Sequence, residues 1–285
     1  MKITDILKSG KVTVSCELFP PKHGSELDSV KSVVRNTAAL GPSFISVTCN
    51  AGGVTSSHSV SLADEVQNAC GITALAHLTC VSSGKDAVRN TLEQLKTLRI
   101  ENILALRGDM PQDSTQGEYR HACELMKDIR DYGGFCVGGA CYPEGHPEAK
   151  TLQKDIESLK IKSDCGCEFF TTQMFFDNNI LYNFLFRLLK NGINTPVIAG
   201  IMPVTNAKQI SRICKLSGTA LPARFKAIVD KFSDAPAAMC QAGVAYATEQ
   251  IIDLVANGVQ NIHIYTMNKP DIAGKIMDSL SEILK

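Results

Sequence analysis

Residues 167–204 read CEFFTTQMFFDNNILYNFLFRLLKNGINTPVIAGIMPV. The first eleven, to Asp177, are rich in aromatic and β-branched residues and read as a strand. From Asn178 the apolar residues recur at helical spacing, and the pattern ends at "KNG". "PVIAGIMPV" is then a second short apolar strand. Strand, helix and strand in this order make a βαβ unit, with the two strands parallel.

The same alternation runs outward in both directions. Upstream, the strands are "VTVSCEL" (12–18), "FISVTC" (44–49), "ITALAHLTC" (72–80), "ENILALRGD" and "FCVGGACYPEG" with its exit loop. The helices between them are "SELDSVKSVVRNTAAL", with Ser25 as its cap, "SLADEVQNA", "KDAVRNTLEQLKTL", "YRHACELMKDIRDY" and "AKTLQKDIESLKIKSD". Downstream come the helix "NAKQISRICKLS", an extra helical hairpin near 222–256, the strand "QNIHIYTMN" and the helix "DIAGKIMDSLSEILK". Eight strand–helix units in 285 residues predict a (β/α)8 TIM barrel, a single domain over 1–285 with a helical insertion before the last strand. An open doubly wound sheet is the alternative. No G-x-G-x-x-G follows the first strand, so a dinucleotide-binding Rossmann unit has no support.

Composition narrows the function. Twenty-nine basic and 29 acidic residues cancel, and no basic arm or aromatic-studded patch stands out, which argues against nucleic acid. No apolar run reaches membrane-spanning length, and "MKITDILKSG" lacks the apolar core of a secretory signal, so the cytoplasm is the expected location. The 11 cysteines are odd in number and lack metal-ligand spacing, which predicts small buried hydrophobes and no metal site.

In a barrel, polar residues just past each strand meet around one mouth. Here those positions hold Glu17, Thr48, Asn50, His77, Arg107, Asp109, Tyr142, Glu144, His146, Gln173, Met202, Tyr265 and Asn268. Each alone is as readily a loop or core residue; their recurrence at one end predicts a shared cavity. Glycines in "AGG" (51–53) and "RGD" (107–109) allow tight turns or close backbone approach to a ligand. No serine elbow, Walker loop or H-E-x-x-H is present. Carboxylates, an amide and a few rings suit a cofactor that does the electronic work while the protein supplies a proton and electrostatic tuning.

The stretches "CELFPPK", "VTCNAGG", "AHLTC", "LALRGD", "GGACYPEGHP", "FFTTQMFFD", "GIMPV" and "HIYTMN" follow one another from residue 16 to 268. In this series the chain resembles the methylenetetrahydrofolate reductase family, and its length resembles the short catalytic form. The resemblance implies an FAD-containing barrel that reduces 5,10-methylenetetrahydrofolate to 5-methyltetrahydrofolate, with NADH or NADPH as donor. It implies non-covalent FAD contacts from Thr48, His77, Arg107, Asp109, Tyr142, His146, Asp155 and Lys162. Glu17 and Asp109 match the catalytic positions, Glu17 as general acid toward folate N10. Gln173 matches the folate side, and Lys269 is a candidate for the folate glutamate tail. The family also implies a homo-oligomer, and for some members a partner subunit supplied by reduced ferredoxin. Another flavin- or pterin-handling barrel, or a non-catalytic folate-binding barrel, is the rival reading. One departure concerns the donor: some members carry phenylalanine where "NAKQ" places Ala207.

Overall fold

The computed structural model describes residues 1–21, 26–49, 57–81, 83–109 and 117–285. Eight strands close into a barrel in chain order: β1 (Thr13–Leu18), β2 (Ile45–Val47), β3 (Ala74–Thr79), β4 (Asn102–Leu106), β5 (Cys136–Cys141), β6 (Phe169–Thr172), β7 (Val197–Ile201) and β8 (Asn261–Tyr265). Every neighbouring pair is parallel, and β8 closes on β1 in the register Thr13↔Asn261 to Glu17↔Tyr265. The helices are α1 (Ile3–Leu7), α2 (Leu27–Ala38), α3 (Ser57–Asp64), α4 (Lys85–Thr97), α5 (Ala122–Tyr132), α6 (Leu152–Asp164), α7 (Asn178–Lys190), α8 (Ala207–Ser217), α9 (Ala223–Lys231), α10 (Pro236–Ala256) and α11 (Pro270–Ser279). The predicted barrel is observed, and α9 with α10 is the predicted insertion.

Strand alternation divides the residues between two cores. Val14, Cys16, Leu18, Ile45, Val47, Ala76, Leu78, Ile103, Ala105, Ile262 and Ile264 pack outward against the helices. The helices answer with buried residues three and four apart, such as Val88, Leu92 and Leu95 of α4. The alternate strand positions face the barrel axis. At the N-terminal end they are apolar: Leu75, Leu104, Cys136, Phe169 and Ile198 form a plug with Phe44 and Ile3. Toward the C-terminal end they turn polar, with Ser15, Ser46, His77, Thr171 and His263 all buried.

The N-terminus contributes a helix that the sequence reading left unassigned. Helix α1 inserts the fully buried Ile3 into the plug, and Ile3 N donates to Asn102 Oδ1 at 2.8 Å. Asn102 Nδ2 donates in turn to Met1 O at 3.0 Å, so one strand-start amide seals the barrel floor.

The strand expected over 167–177 is only Phe169–Thr172. Met174, Phe175 and Phe176 are nevertheless buried: Phe175 packs into the main core, and Met174 and Phe176 lie beneath the inserted helices. Tyr246 Oη donates to Phe176 O at 2.6 Å, and Gln250 Nε2 donates to Phe175 O at 3.1 Å. Side chains of α10 thus replace the ladder bonds that a longer strand would have made. Expected positions Ser25, Asn50 and "AGG" 51–53 lie outside the described residues.

Candidate active site

Glu17 stands on the inner face of β1 near its C-terminal end, with its side chain 19% exposed. Its Oε2 lies 3.8 Å from Nε2 of His77 on β3 and 3.8 Å from Nε2 of His263 on β8. The segment that carries it is fixed from both sides. Thr266 Oγ1 donates to Glu17 O at 2.6 Å. Asn268 grips the next turn with its amide: Phe19 N donates to Oδ1 at 3.0 Å, and Nδ2 donates to Phe19 O at 2.9 Å. Asn268 has a left-handed φ of +55°, and Met267 before it has +53°. Asparagine tolerates that region better than most residues, which suits it to this loop. The two prolines after Phe19 are therefore one part of a larger clamp built from "TMN".

His77 is buried, and burial moves its pKa from the ordinary 6.5 down to about 4, despite the opposing pull of Glu17. The ring is neutral at neutral pH, and its 3.8 Å contact with Glu17 is not an ion pair. A stability prediction follows from linkage. The folded pKa lies below the unfolded one, so the contribution is complete above about pH 6.5 and is lost as pH falls toward 4. The depression corresponds to roughly 3 kcal/mol at 1.36 kcal/mol per unit. Urea titrations of wild type and His77→Gln across this window should show a shallower acid loss in the variant. Parallel curves would show that His77 is not the titrating group.

A second group of side chains gathers beyond β4, β5 and on α6. Gly108 takes φ +88°, and a Cβ there would stand 3.0 Å from Val81 Cγ1, so only glycine lets the "RGD" turn press against the neighbouring loop. Arg107 forms a two-pronged pair with Glu148, at 2.6 and 2.7 Å. Asp109 follows at the exposed rim. Tyr142 and His146 meet edge to face with centroids 4.6 Å apart. Asp155, on the first turn of α6, is buried, and desolvation raises its pKa although His146 N–H donates to it. Lys162, two turns further along α6, turns inward, and its Nζ donates to Ala140 O at 2.8 Å. Tyr142 feels the charges of Asp109, Arg107 and Asp155, which ties the group together electrostatically.

The remaining expected residues take other places around the mouth. Thr48 Oγ1 donates to Cys49 O at 3.2 Å. Gln173 begins the loop after β6, and its Oε1 accepts from Met174 N at 2.9 Å. Lys269 Nζ donates to Thr205 Oγ1 at 3.0 Å, which links the loop after β8 to the loop after β7. Ala207 opens α8 behind the cap Asn206, beside a cavity of about 290 Å³ lined also by Thr205, Lys208 and Met239. Glu144 accepts from Ala220 N at 3.0 Å, a loop-bracing role.

The sequence reading passed over His263, although it sits in the quoted "HIYTMN". It stands within an apolar strand and resembles a core residue until the closing register with β1 is known. Tyr265 also crosses the barrel: its hydroxyl donates to Thr172 O. Gly200 makes room, since a Cβ there would stand 2.7 Å from that hydroxyl.

Six of the eleven cysteines are buried, as small hydrophobes would be, and five are half-buried. Cys16, Cys80 and Cys167 are buried, and desolvation pushes each thiol up to about 12. Among the described residues, no helix is long and apolar enough to cross a membrane.

A closed parallel barrel with an enclosed carboxyl group and an adjoining cation–carboxylate–ring cluster at its C-terminal mouth has the form of a (β/α)8 enzyme. The methylenetetrahydrofolate reductase family profile matches residues 2–281, and the chain belongs to that family. It is 31% identical to the 5,10-methylenetetrahydrofolate reductase of Escherichia coli, over 95% of this chain and 91% of that protein. It is 32% identical to methylenetetrahydrofolate reductase (NADH) 1 of Arabidopsis thaliana, over 99% of this chain but 51% of the plant protein. The chain thus spans about half the length of its plant relatives. An uncharacterized Clostridium thermocellum protein, described as binding two copies of 5-methyl-5,6,7,8-tetrahydrofolic acid, shares the fold with TM-score 0.70 and 13% identity, over 99% of both chains.

Proposed function

We propose that this chain reduces 5,10-methylenetetrahydrofolate to 5-methyltetrahydrofolate in the cytoplasm, with FAD at the barrel mouth and NADH or NADPH as donor. The observation that carries the reading is Glu17, an enclosed carboxyl group held rigidly at the mouth, in a chain of this family. The plant relatives' names specify NADH, which favours that donor.

The cluster beyond β4 and β5 fits a flavin dinucleotide. Arg107 and Lys162 offer positive charge to a pyrophosphate, and buried Asp155 offers an acceptor to a hydroxyl. Tyr142 and His146 present ring edges, while Thr48, His77 and Asp109 border the same mouth. Arg107 would have to exchange Glu148 for phosphate; that pair is partly exposed and worth about 1 kcal/mol or less, so exchange costs little. Non-covalently bound FAD supplies hydride transfer.

The chain's own residues supply the rest. Glu17 delivers a proton to folate N10, which opens the five-membered ring and leaves a cationic N5 iminium. Asp109 places negative charge near that cation. Gln173, whose Oε1 is already engaged, offers its NH2 donors to the pterin. Lys269 meets the glutamate tail.

The test is direct. The purified protein should show oxidised-flavin absorption or acquire it from FAD. Anaerobic reduction by NADH should then be reversed by methylenetetrahydrofolate, with methyltetrahydrofolate formed. Colourless protein that rejects FAD would return the chain to a non-catalytic barrel. Asp109→Asn should slow the folate half-reaction about 10- to 100-fold, the worth of a charged contact, and affect the donor half-reaction less. Equal slowing in stopped-flow traces would sink the cation-stabilising role.

The cavity beside Ala207 favours a second donor reading, since some family members place phenylalanine there. In that reading a partner subunit passes electrons from reduced ferredoxin to a homo-oligomer of this chain. Side-by-side reduction by NADH, NADPH and reduced ferredoxin separates the two.

A further inference from the structure

The barrel register places three buried polar side chains beside and below Glu17. Ser15 pairs with His263 across β1 and β8, and Glu17 pairs with Ser46 across β1 and β2. Ser15, Ser46 and His263 have at most 1% exposure. The His263 ring is stacked on Phe44, with centroids 5.9 Å apart, and meets Tyr265 edge-on at 5.3 Å. Its orientation is therefore fixed by packing.

Hydrogen bookkeeping then points to one tautomer. Ser15 Oγ has one proton and donates it to Ile262 O at 3.0 Å. Its 2.7 Å contact with His263 Nδ1 is then met by an N–H donating to the hydroxyl oxygen. With the proton on Nδ1, a neutral ring carries a bare lone pair at Nε2. Ser46 Oγ lies 3.2 Å from that nitrogen and Glu17 Oε2 3.8 Å from it, so the two compete for its one lone pair.

We propose that His263 is a positioning residue for the acid: Ser15 holds the ring as the Nδ1–H tautomer, so that bare Nε2 accepts the proton of the Glu17 carboxyl group and keeps Glu17 in its acid form. The inference rests on Glu17 being the proton donor. A lone pair facing Glu17 favours the protonated carboxyl group and disfavours the carboxylate, whereas an N–H at the same place would do the reverse. A small rotation of the carboxyl group closes the 3.8 Å gap, and the Ser46 hydroxyl turns its proton away from the shared lone pair. When substrate arrives, the proton moves from Glu17 to N10, and solvent restores it through the mouth, where Glu17 is 19% exposed.

The other titratable groups that bear on this site are few. His77 of β3 faces Glu17 and is neutral above about pH 4. Tyr265 of β8 is held protonated by burial. Cys141 and Tyr142, at the end of β5, are likewise pushed up by burial. His77 and His263 can each present a lone pair or an N–H to Glu17, and His263 is the one whose other ring nitrogen is held by a serine hydroxyl.

The experiment has two readouts. The first is the ¹⁵N spectrum of histidine-labelled protein, with the His263 signals identified as those moved by Ser15→Ala. Protonated Nδ1 and bare Nε2 are expected; an Nε2–H ring would overturn the proposal. The second is the pH profile of flavin reoxidation by methylenetetrahydrofolate in the FAD-loaded enzyme. Ser15→Ala frees the ring to present Nε2–H, and the alkaline fall-off should move down by about one unit, a tenfold loss just above the wild-type limb. An unmoved limb, or one displaced upward, would overturn the proposal. Should Ser15→Ala fail to fold, Ser15→Thr keeps the hydroxyl and should retain both the wild-type tautomer and the wild-type limb; loss of either overturns the proposal. Glu17→Gln measured in parallel separates the failures. If it reoxidises normally, the reading of Glu17 fails. If it is inactive while the Ser15→Ala limb stays in place, only the role of His263 fails.

Discussion

Glu17→Gln is expected to fold, take up FAD and accept electrons from the donor, yet reduce methylenetetrahydrofolate at least roughly 10²-fold more slowly. The substitution leaves the clamp intact, because Thr266 holds the main-chain carbonyl of residue 17 and Asn268 holds Phe19. Glutamine has nearly the size of glutamate and can hydrogen-bond to His77 and His263, but it cannot release a proton at neutral pH. The loss should therefore fall on ring opening alone. Anaerobic mixing of pre-reduced variant with methylenetetrahydrofolate, followed by flavin reoxidation, measures it. Near-normal reoxidation with methyltetrahydrofolate formed would make Glu17 a structural strand-end residue and send the search for the donor elsewhere, first to a water held by Gln173.

The architecture was legible because each βα unit carries its own signal. The burial period changes from two in the strand to three and four in the helix, and eight repetitions leave little choice beyond a closed barrel. Strand ends were less legible. Met174 to Phe176 read as strand because they are apolar, but the burial of Met174 and Phe176 comes from α9 and α10, some 50 to 70 residues later. Periodicity within a window cannot report a cover supplied from so far away. The polar residues past the strands could be recognised for the same reason as the barrel, since each follows a strand. Structure brings Glu17 beside His77, and groups Arg107 and Asp109 with Tyr142, His146, Asp155 and Lys162. Sequence could not show that Arg107 is already paired with Glu148, or that Lys269 is tied to Thr205. His263 was hidden most completely. It meets Ser15 across 248 positions, and only barrel closure brings the two together.

Gly243→Ala should destabilise the protein by about 2 kcal/mol or more, against the usual helix rule. Alanine is favoured over glycine in a helix interior by about 1 kcal/mol, and Gly243 lies well inside α10. Here a Cβ would overlap the carbonyl oxygen of Val204, with the carbonyl carbon only 2.7 Å away. A flexible side chain could turn aside from such a contact, but backbone can move only with its loop. Overpacking of this kind costs typically 1–3 kcal/mol, occasionally more, and with no rotamer to relieve it the clash should outweigh the propensity gain. For a chain of this size the fall in Tm should be roughly 3 °C or more. The loop that must yield is the one after β7, whose Thr205 holds Lys269 beside the Ala207 cavity. The same variant should therefore raise KM for the folate more than it slows reduction of the flavin. Thermal unfolding at saturating FAD and the two half-reactions measure the effects separately. An unchanged or higher Tm would show that α10 can withdraw from the β7 exit loop without loss. The glycine would then be there for some reason other than close approach to Val204.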